Sequence, residues 1–139
     1  MASLPRSTLQ KLALAKVKDA RLLFDHGRYA NSYYLYGYGI ELALKACIAR
    51  HIVAETIPDR AILNNVLTHD IAKLRALAGL SELLRERRAD REFDLRWAVV
   101  AEWLVESRYE LVDSVTAAAM QDAVEHPQHG VLKWLRQHW

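Results

Sequence analysis

Apolar residues recur at three- and four-residue spacing along most of the chain. In the first stretch Leu9, Leu12, Ala13, Val17, Ala20, Leu23 and Phe24 keep that period, while Lys11, Lys18, Asp19, Arg21 and Asp25 take the other faces. This pattern predicts an amphipathic helix over residues 8–25, closed by Gly27 in a left-handed cap. A loop of about five residues follows, a length that favours an antiparallel neighbour. Asn31 or Ser32 is then expected to cap a second helix reaching residue 50. Tyr33, Leu35, Ile40, Leu42, Leu44, Cys47 and Ile48 leave that helix no wide polar face, so it should be the most buried element. Gly37 and Gly39 inside it cost about 1 kcal/mol each relative to Ala, and close approach of a neighbouring backbone is the usual compensation.

The pattern weakens around Pro58. A short helix is expected over residues 60–66, and Thr68 caps another that stops at Gly79. Ser81 caps a longer segment whose middle, RERRADREFD, alternates in charge sign and is read as a solvated face with a break near Ala89 and Asp90. Phe93, Trp97, Val100, Ala101, Leu104 and Val105 then restore a helical stripe. Ser114 caps the next helix, Pro127 interrupts it, and Val131, Leu132, Trp134 and Leu135 fall at helical spacing in a last short piece. The chain has 5 glycines and 3 prolines, and no alternating run is bounded by Asn-Gly or Asp-Gly. An all-α fold follows, a four-helix bundle with additional short helices, forming one domain over residues 1–139.

Composition narrows the functional classes. Apolar residues make up 52% of 139 positions, ample for one core, so neither disorder nor a disulfide-dependent mini-fold is expected. Lys and Arg number 19 against 17 Asp and Glu, for a net charge of +2, so binding to nucleic acid or membrane through bulk charge is not indicated. A single cysteine, Cys47, has no internal disulfide partner, and the start of the sequence lacks an apolar run of signal-peptide length. The longest uncharged stretch, residues 29–40, is too short and too polar to cross a bilayer. A cytoplasmic protein without a membrane span is the resulting expectation.

Two polar features interrupt the apolar pattern. Tyr34, Tyr38, Glu41 and Lys45 step by four, three and four residues along the second helix and so form one stripe. Glu41 lies one turn before Lys45, the favourable order for an ion pair, and a partly exposed stripe of this kind requires no function. Arg108 follows Leu104 by four and Ala101 by seven, so it shares the face of an apolar stripe and should point inward. A buried guanidinium needs a carboxylate, and the only acidic residue of the central helix is Glu41. Contact between Arg108 and Glu41 is therefore expected.

The stretch GRYANSYYLYGYGIELALKACIA, followed by THDIAKL and WLVESRYE, resembles the HEPN domain family. That resemblance implies a four-helix up-and-down core, a tendency to dimerise, and roles in RNA cleavage, toxin–antitoxin pairs, phage defence or partnership with nucleotidyltransferases. Catalytic members resemble one another in an Arg followed four to six residues later by His. The Arg stabilises phosphate charge and the His does acid–base work in a metal-independent ribonuclease site. Here Arg108 is followed by Tyr109, Glu110, Leu111, Val112, Asp113, Ser114 and Val115, with no His in range. The one match, Arg21 with His26, lies in the first helix, and about 1.7 such matches are expected by composition alone.

No other catalytic pattern stands out. His126 and His129 with Glu125 are too closely spaced, across Pro127, to read as a metal site, and His69 beside Thr68 reads as a local or packing residue. Cys47 lies among apolar neighbours, unlike a nucleophile, and no glycine-rich phosphate loop is present. The four tryptophans are read as core or interface. The expectation is thus a binding or regulatory module of HEPN type, a non-catalytic toxin–antitoxin or defence component that binds RNA, a nucleotide or a partner protein. It carries no metal or cofactor, and it forms a homodimer. Tyr38, Glu41, Lys45, Arg108 and Tyr109 are the candidate binding residues: Lys45 and Arg108 supply positive charge, Glu41 holds them, and the tyrosines offer hydroxyls or stacking faces. A HEPN-type endoribonuclease with an atypical site around Arg108 is the enzymatic alternative, and a purely structural dimerisation domain is the third.

Overall fold

A computed structural model describes residues 4–139. Every described element is helical: α1 (Arg6–Asp25), α2 (Tyr29–Ala49), α3 (Arg60–Asn65), α4 (Ile71–Leu77), α5 (Ser81–Arg87), α6 (Arg91–Ala101), a 3₁₀ helix (Val105–Tyr109), α7 (Ser114–Glu125) and α8 (Val131–Arg136). The long α1 and α2 pack against each other, as a short connection requires. Gly27 adopts φ +73° between them. The Arg28 amide reaches the Leu23 carbonyl at 2.8 Å and the Gly27 amide the Phe24 carbonyl at 3.0 Å, a complete Schellman closure of α1.

This tight turn starts α2 earlier than the sequence pattern suggests. Neither Asn31 nor Ser32 caps it, since the helix already runs from Tyr29. Ser32 is instead buried, and its hydroxyl donates to the Ala20 carbonyl of α1 at 2.7 Å. Carboxylates likewise replace the expected hydroxyl caps further on. Asp70 accepts from the Lys73 amide at 3.0 Å at the start of α4, and Asp113 accepts from the Thr116 amide at 2.7 Å at the start of α7. Ser81 is already inside α5, which Leu80 precedes. The expected break in the charged run is present. Asp90 caps α6 through the Glu92 amide at 3.0 Å and also meets Arg87 at 2.7 Å and His129 at 2.8 Å. Those partners, Arg87 above all, hold the Asp90 carboxyl down at about 2.

α2 is the central element. Tyr36, Ile40, Ala43, Leu44, Ala46, Cys47 and Ile48 are all fully buried, and α1, α4, α7, α8 and the 3₁₀ helix all pack on it. Phe93 of α6 and Trp134 of α8 meet edge to face at 5.5 Å, and Trp97 joins Trp134 at 6.3 Å, so these aromatic residues are core. Both helical glycines permit close approach. A methyl group on Gly39 would lie 2.9 Å from Val17 and 3.3 Å from the Ala13 carbonyl, both in α1. One on Gly37 would lie 2.1 Å from the Trp103 indole nitrogen.

The Trp103 contact explains the largest departure from the sequence reading. The stripe from Phe93 was expected to continue through Arg108, yet α6 ends at Ala101. Trp103 turns inward onto Gly37 and is 1% exposed, while Ala101 and Leu104 face solvent. Seating the indole on α2 breaks the helix, and the chain resumes as the 3₁₀ turn bearing Arg108 and Tyr109.

Gly37→Ala should therefore destabilise the fold by about 2–3 kcal/mol through overpacking against Trp103. Gly27→Ala meets no neighbour within 4 Å and should cost only the left-handed backbone penalty of about 1 kcal/mol. Urea denaturation midpoints compare the two directly.

Candidate functional site

The polar stripe of α2 becomes a site because the helix is buried. Over the roughly 16 Å between residues 34 and 45 it carries Tyr34, Tyr38, Glu41 and Lys45 along one line. Glu41 is only 1% exposed, and burial of an unpaired carboxylate costs several kcal/mol. Each of its oxygens has one partner. Oε2 accepts from Lys45 Nζ at 3.1 Å, the expected i,i+4 pair. Oε1 is 2.9 Å from Nδ1 of His69, which lies in the turn that leads into α4. A carboxylate only accepts, so Nδ1 is the donor and Nε2 is left as the imidazole's second functional nitrogen. Lys45 is mostly covered, whereas the His69 side chain is half exposed.

The expected Arg108–Glu41 contact does not form. Because α6 stops short, Arg108 sits in the exposed 3₁₀ helix, and Lys45 and His69 occupy Glu41 instead. Arg108 turns to aromatic partners. Its guanidinium lies 5.0 Å from the Tyr109 ring centre, and the Tyr109 and Tyr34 hydroxyls hold its pKa above the ordinary value. Tyr34 packs on Tyr38 at 6.0 Å and on Trp103 at 5.9 Å. Lys16 of α1 lies 5.6 Å over the Tyr38 ring. Burial, followed by the Glu41 charge, pushes the Tyr38 phenol up, so it stays a neutral hydroxyl at physiological pH.

Of the five candidate residues, Glu41 and Lys45 are bonded to each other and Arg108 is stacked with Tyr109. Tyr38 lies between these two pairs, linked to the second through Tyr34. His69 and Lys16 are the members that sequence reasoning missed. The demand of Glu41 for a partner was legible, but no periodicity relates position 41 to a turn 28 residues away. The arrangement can present one fixed ammonium, one imidazole and one guanidinium beside aromatic rings, a combination suited to a phosphate-bearing or aromatic ligand.

The remaining candidates are accounted for locally. Arg21 pairs with Glu125, and His26 Nδ1 lies 2.9 Å from the Leu22 carbonyl, so the two share no site. His126 Nδ1 accepts from the Gln128 and His129 amides at 3.2 and 3.0 Å, while His129 faces Asp90. Among the described residues no group of three or more His, Cys, Asp or Glu side chains could hold a metal. Burial pushes the Cys47 thiol up to about 12, far from a reactive thiolate. No described helix is long and apolar enough to cross a membrane.

Glu41→Ala should cost about 3 kcal/mol, because it strands the mostly covered Lys45 ammonium, whereas His69→Ala, at a half-exposed position, should cost about 1 kcal/mol or less. Chemical denaturation at neutral pH gives both values.

Comparison of the chain with known protein families, with curated proteins and with solved structures finds no match.

Proposed function

We propose that the chain is a HEPN-like binding or regulatory module, a non-catalytic component of toxin–antitoxin or defence type that takes RNA, a nucleotide or a partner protein on the polar face of α2. In this reading α1, α2, α6 and α7 make up a four-helix up-and-down core, and the short helices are additions to it. One observation carries the reading: a fully buried carboxylate, Glu41, fixes Lys45 and His69 at one end of a polar face whose other end holds Tyr34, Arg108 and Tyr109, with Tyr38 between them. Fixed cations next to aromatic faces suit a ligand with phosphates and a ring system. A homodimer follows in the same reading. Leu104, Tyr109, Leu111 and Val115 are all well exposed on the segment that carries Arg108, and such apolar groups favour cover by a second copy. A nucleotidyltransferase is the candidate partner implied by the family resemblance.

A second reading, an endoribonuclease with an atypical site, draws on His69. With Nδ1 bound to Glu41, Nε2 is the nitrogen suited to acid–base work, and Arg108 would stabilise phosphate charge. The third reading is a structural dimerisation domain in which the buried polar residues only fix helix register.

One experiment separates the three. Purified protein is incubated with end-labelled tRNA and single-stranded RNA in EDTA, with Arg108→Ala and His69→Ala as controls. Retention without cleavage, weakened at least about fivefold by Arg108→Ala, is the expected result. Cleavage lost in His69→Ala would put the nuclease in its place, and neither retention nor cleavage would leave the partner-binding or structural module. For the dimer, light scattering at micromolar concentration should give twice the 15.9 kDa chain mass. Leu111→Glu should return it to the monomer value.

A further inference from the structure

The far side of the molecule carries a second polar feature that the α2 face does not use. A groove of about 750 Å³ runs between α1, the end of α7 and α8, a volume typical of small-ligand sites. Its lining holds five cationic side chains, Lys11, Lys18, Arg21, Lys133 and Arg136, against the single carboxylate of Glu125. In α1, Lys18 stands two residues and about 200° around the helix from Lys16, and Lys11 and Arg21 five residues and about 140° to either side, so the groove and the α2 face lie on opposite sides of α1.

Glu125 cannot neutralise the set. Arg21 Nε lies 3.1 and 3.2 Å from its two oxygens, and the Tyr36 hydroxyl donates to Oε2 at 2.5 Å. Burial raises the Tyr36 phenol, so it remains a donor across the physiological range. Gln121 in turn donates to the Tyr36 oxygen at 3.0 Å. Glu125 is thereby fully engaged in holding Arg21 at the groove's edge. Lys11, Lys18, Lys133 and Arg136 have no carboxylate partner among the described residues. Lys133 reaches only the Pro127 carbonyl at 2.9 Å, and Arg136 lies 5.7 Å from the Trp139 ring centre.

The contrast with the charged run of α5 and α6 is direct. There Arg85, Arg87, Arg88 and Arg96 each meet a carboxylate within 3.0 Å. Cations left to converge without counter-charge repel one another, and an anion between the two rims removes that repulsion. The lining also selects the kind of anion. Its apolar residues are mostly buried already, with Leu14 the one large exposed apolar side chain, so an amphipathic helix would find few anchors.

We propose that the groove binds a compact oligophosphate, its phosphates bridging Lys11 and Lys18 on α1 and Lys133 and Arg136 on α8. The site reads phosphate charge, which a free phosphate chain and the tail of a nucleotide share. It is independent of the α2 face.

Calorimetric titration of the full chain with inorganic triphosphate, and separately with ATP, tests this at low salt. Binding is expected below about 1 mM. It should weaken at least about fivefold in Lys18→Glu and in Lys133→Glu, and should fall between 50 and 300 mM salt as screening grows. Arg85→Ala and Arg88→Ala, outside both the groove and the α2 face, should bind within about twofold of wild type. Affinities within about threefold of each other identify the free chain as sufficient, and a tighter ATP identifies a nucleotide as the source; either supports the site. Absence of heat with both ligands, or wild-type affinity in both groove variants, would overturn it. So would equal affinity for an oligoglutamate of the same charge, which would instead mark a surface for an acidic protein segment. Heat lost in Arg108→Ala but kept in Lys18→Glu and Lys133→Glu would belong to the α2 face, which keeps the fates of the two sites distinguishable.

Discussion

Burial of most of α2, all but its part-exposed polar stripe, is the constraint from which the other features follow. A helix flanked by α1, α4, α7, α8 and the 3₁₀ turn needs places where its neighbours can come close, and Gly37 and Gly39 provide them. Gly39 admits the small residues of α1, which carries Lys16 onto the Tyr38 ring. Gly37 admits the Trp103 indole, which ends α6 and sets Arg108 and Tyr109 beside Tyr34. The same burial forces Glu41 to collect Lys45 from its own helix and His69 from the turn before α4. Packing and site are therefore one arrangement: the residues that allow dense contact also fix where the charges stand.

How much of this was legible depended on the range of the interaction. Local periodicity was sufficient for α1, for the dominance of α2, for the break at Asp90 and for the stop at Gly79, because each is decided within a few residues. The glycines of α2 could be read as close-approach positions, since their cost in a helix requires compensation. Capping was less legible, because Asp70 and Asp113 stand beside Thr68 and Ser114 and either type can accept the first amides. The failures were long-range. Nothing in the spacing of Ala101, Leu104 and Arg108 reveals that Trp103 will leave the helix to meet Gly37. The need of Glu41 for a cation was evident, but its partner came from position 69 rather than 108.

Charge illustrates the same limit in a different way. A net charge of +2 describes a nearly neutral molecule, yet the ionic residues are sorted in space. Between residues 82 and 96 opposite signs interleave along the chain and neutralise one another locally. In the groove, cations from α1 and α8 that are more than a hundred residues apart converge, and the one carboxylate there is already bound to Arg21 and Tyr36. Composition averages over this sorting. Only the docking of α8 beside α1 creates the local excess that long-range attraction would respond to.

The buried Glu41 cluster raises a further question of energetics. Apolar side chains of similar volume in place of a buried ion pair are often neutral or stabilising by about 1–4 kcal/mol, so stability alone gives little reason for a carboxylate in the core. What the carboxylate supplies is position. It holds an ammonium from its own helix and an imidazole from a separate turn at 3.1 and 2.9 Å, and no apolar contact is directional enough to orient either. His69 is the telling member, because half of it faces solvent and an exposed imidazole adds little to the core. A group that contributes little to folding but is anchored by the most expensive side chain in the core is what the proposed binding face would require. A carboxylate that merely set helix register would need only Lys45, from its own helix, and not an imidazole from a separate turn.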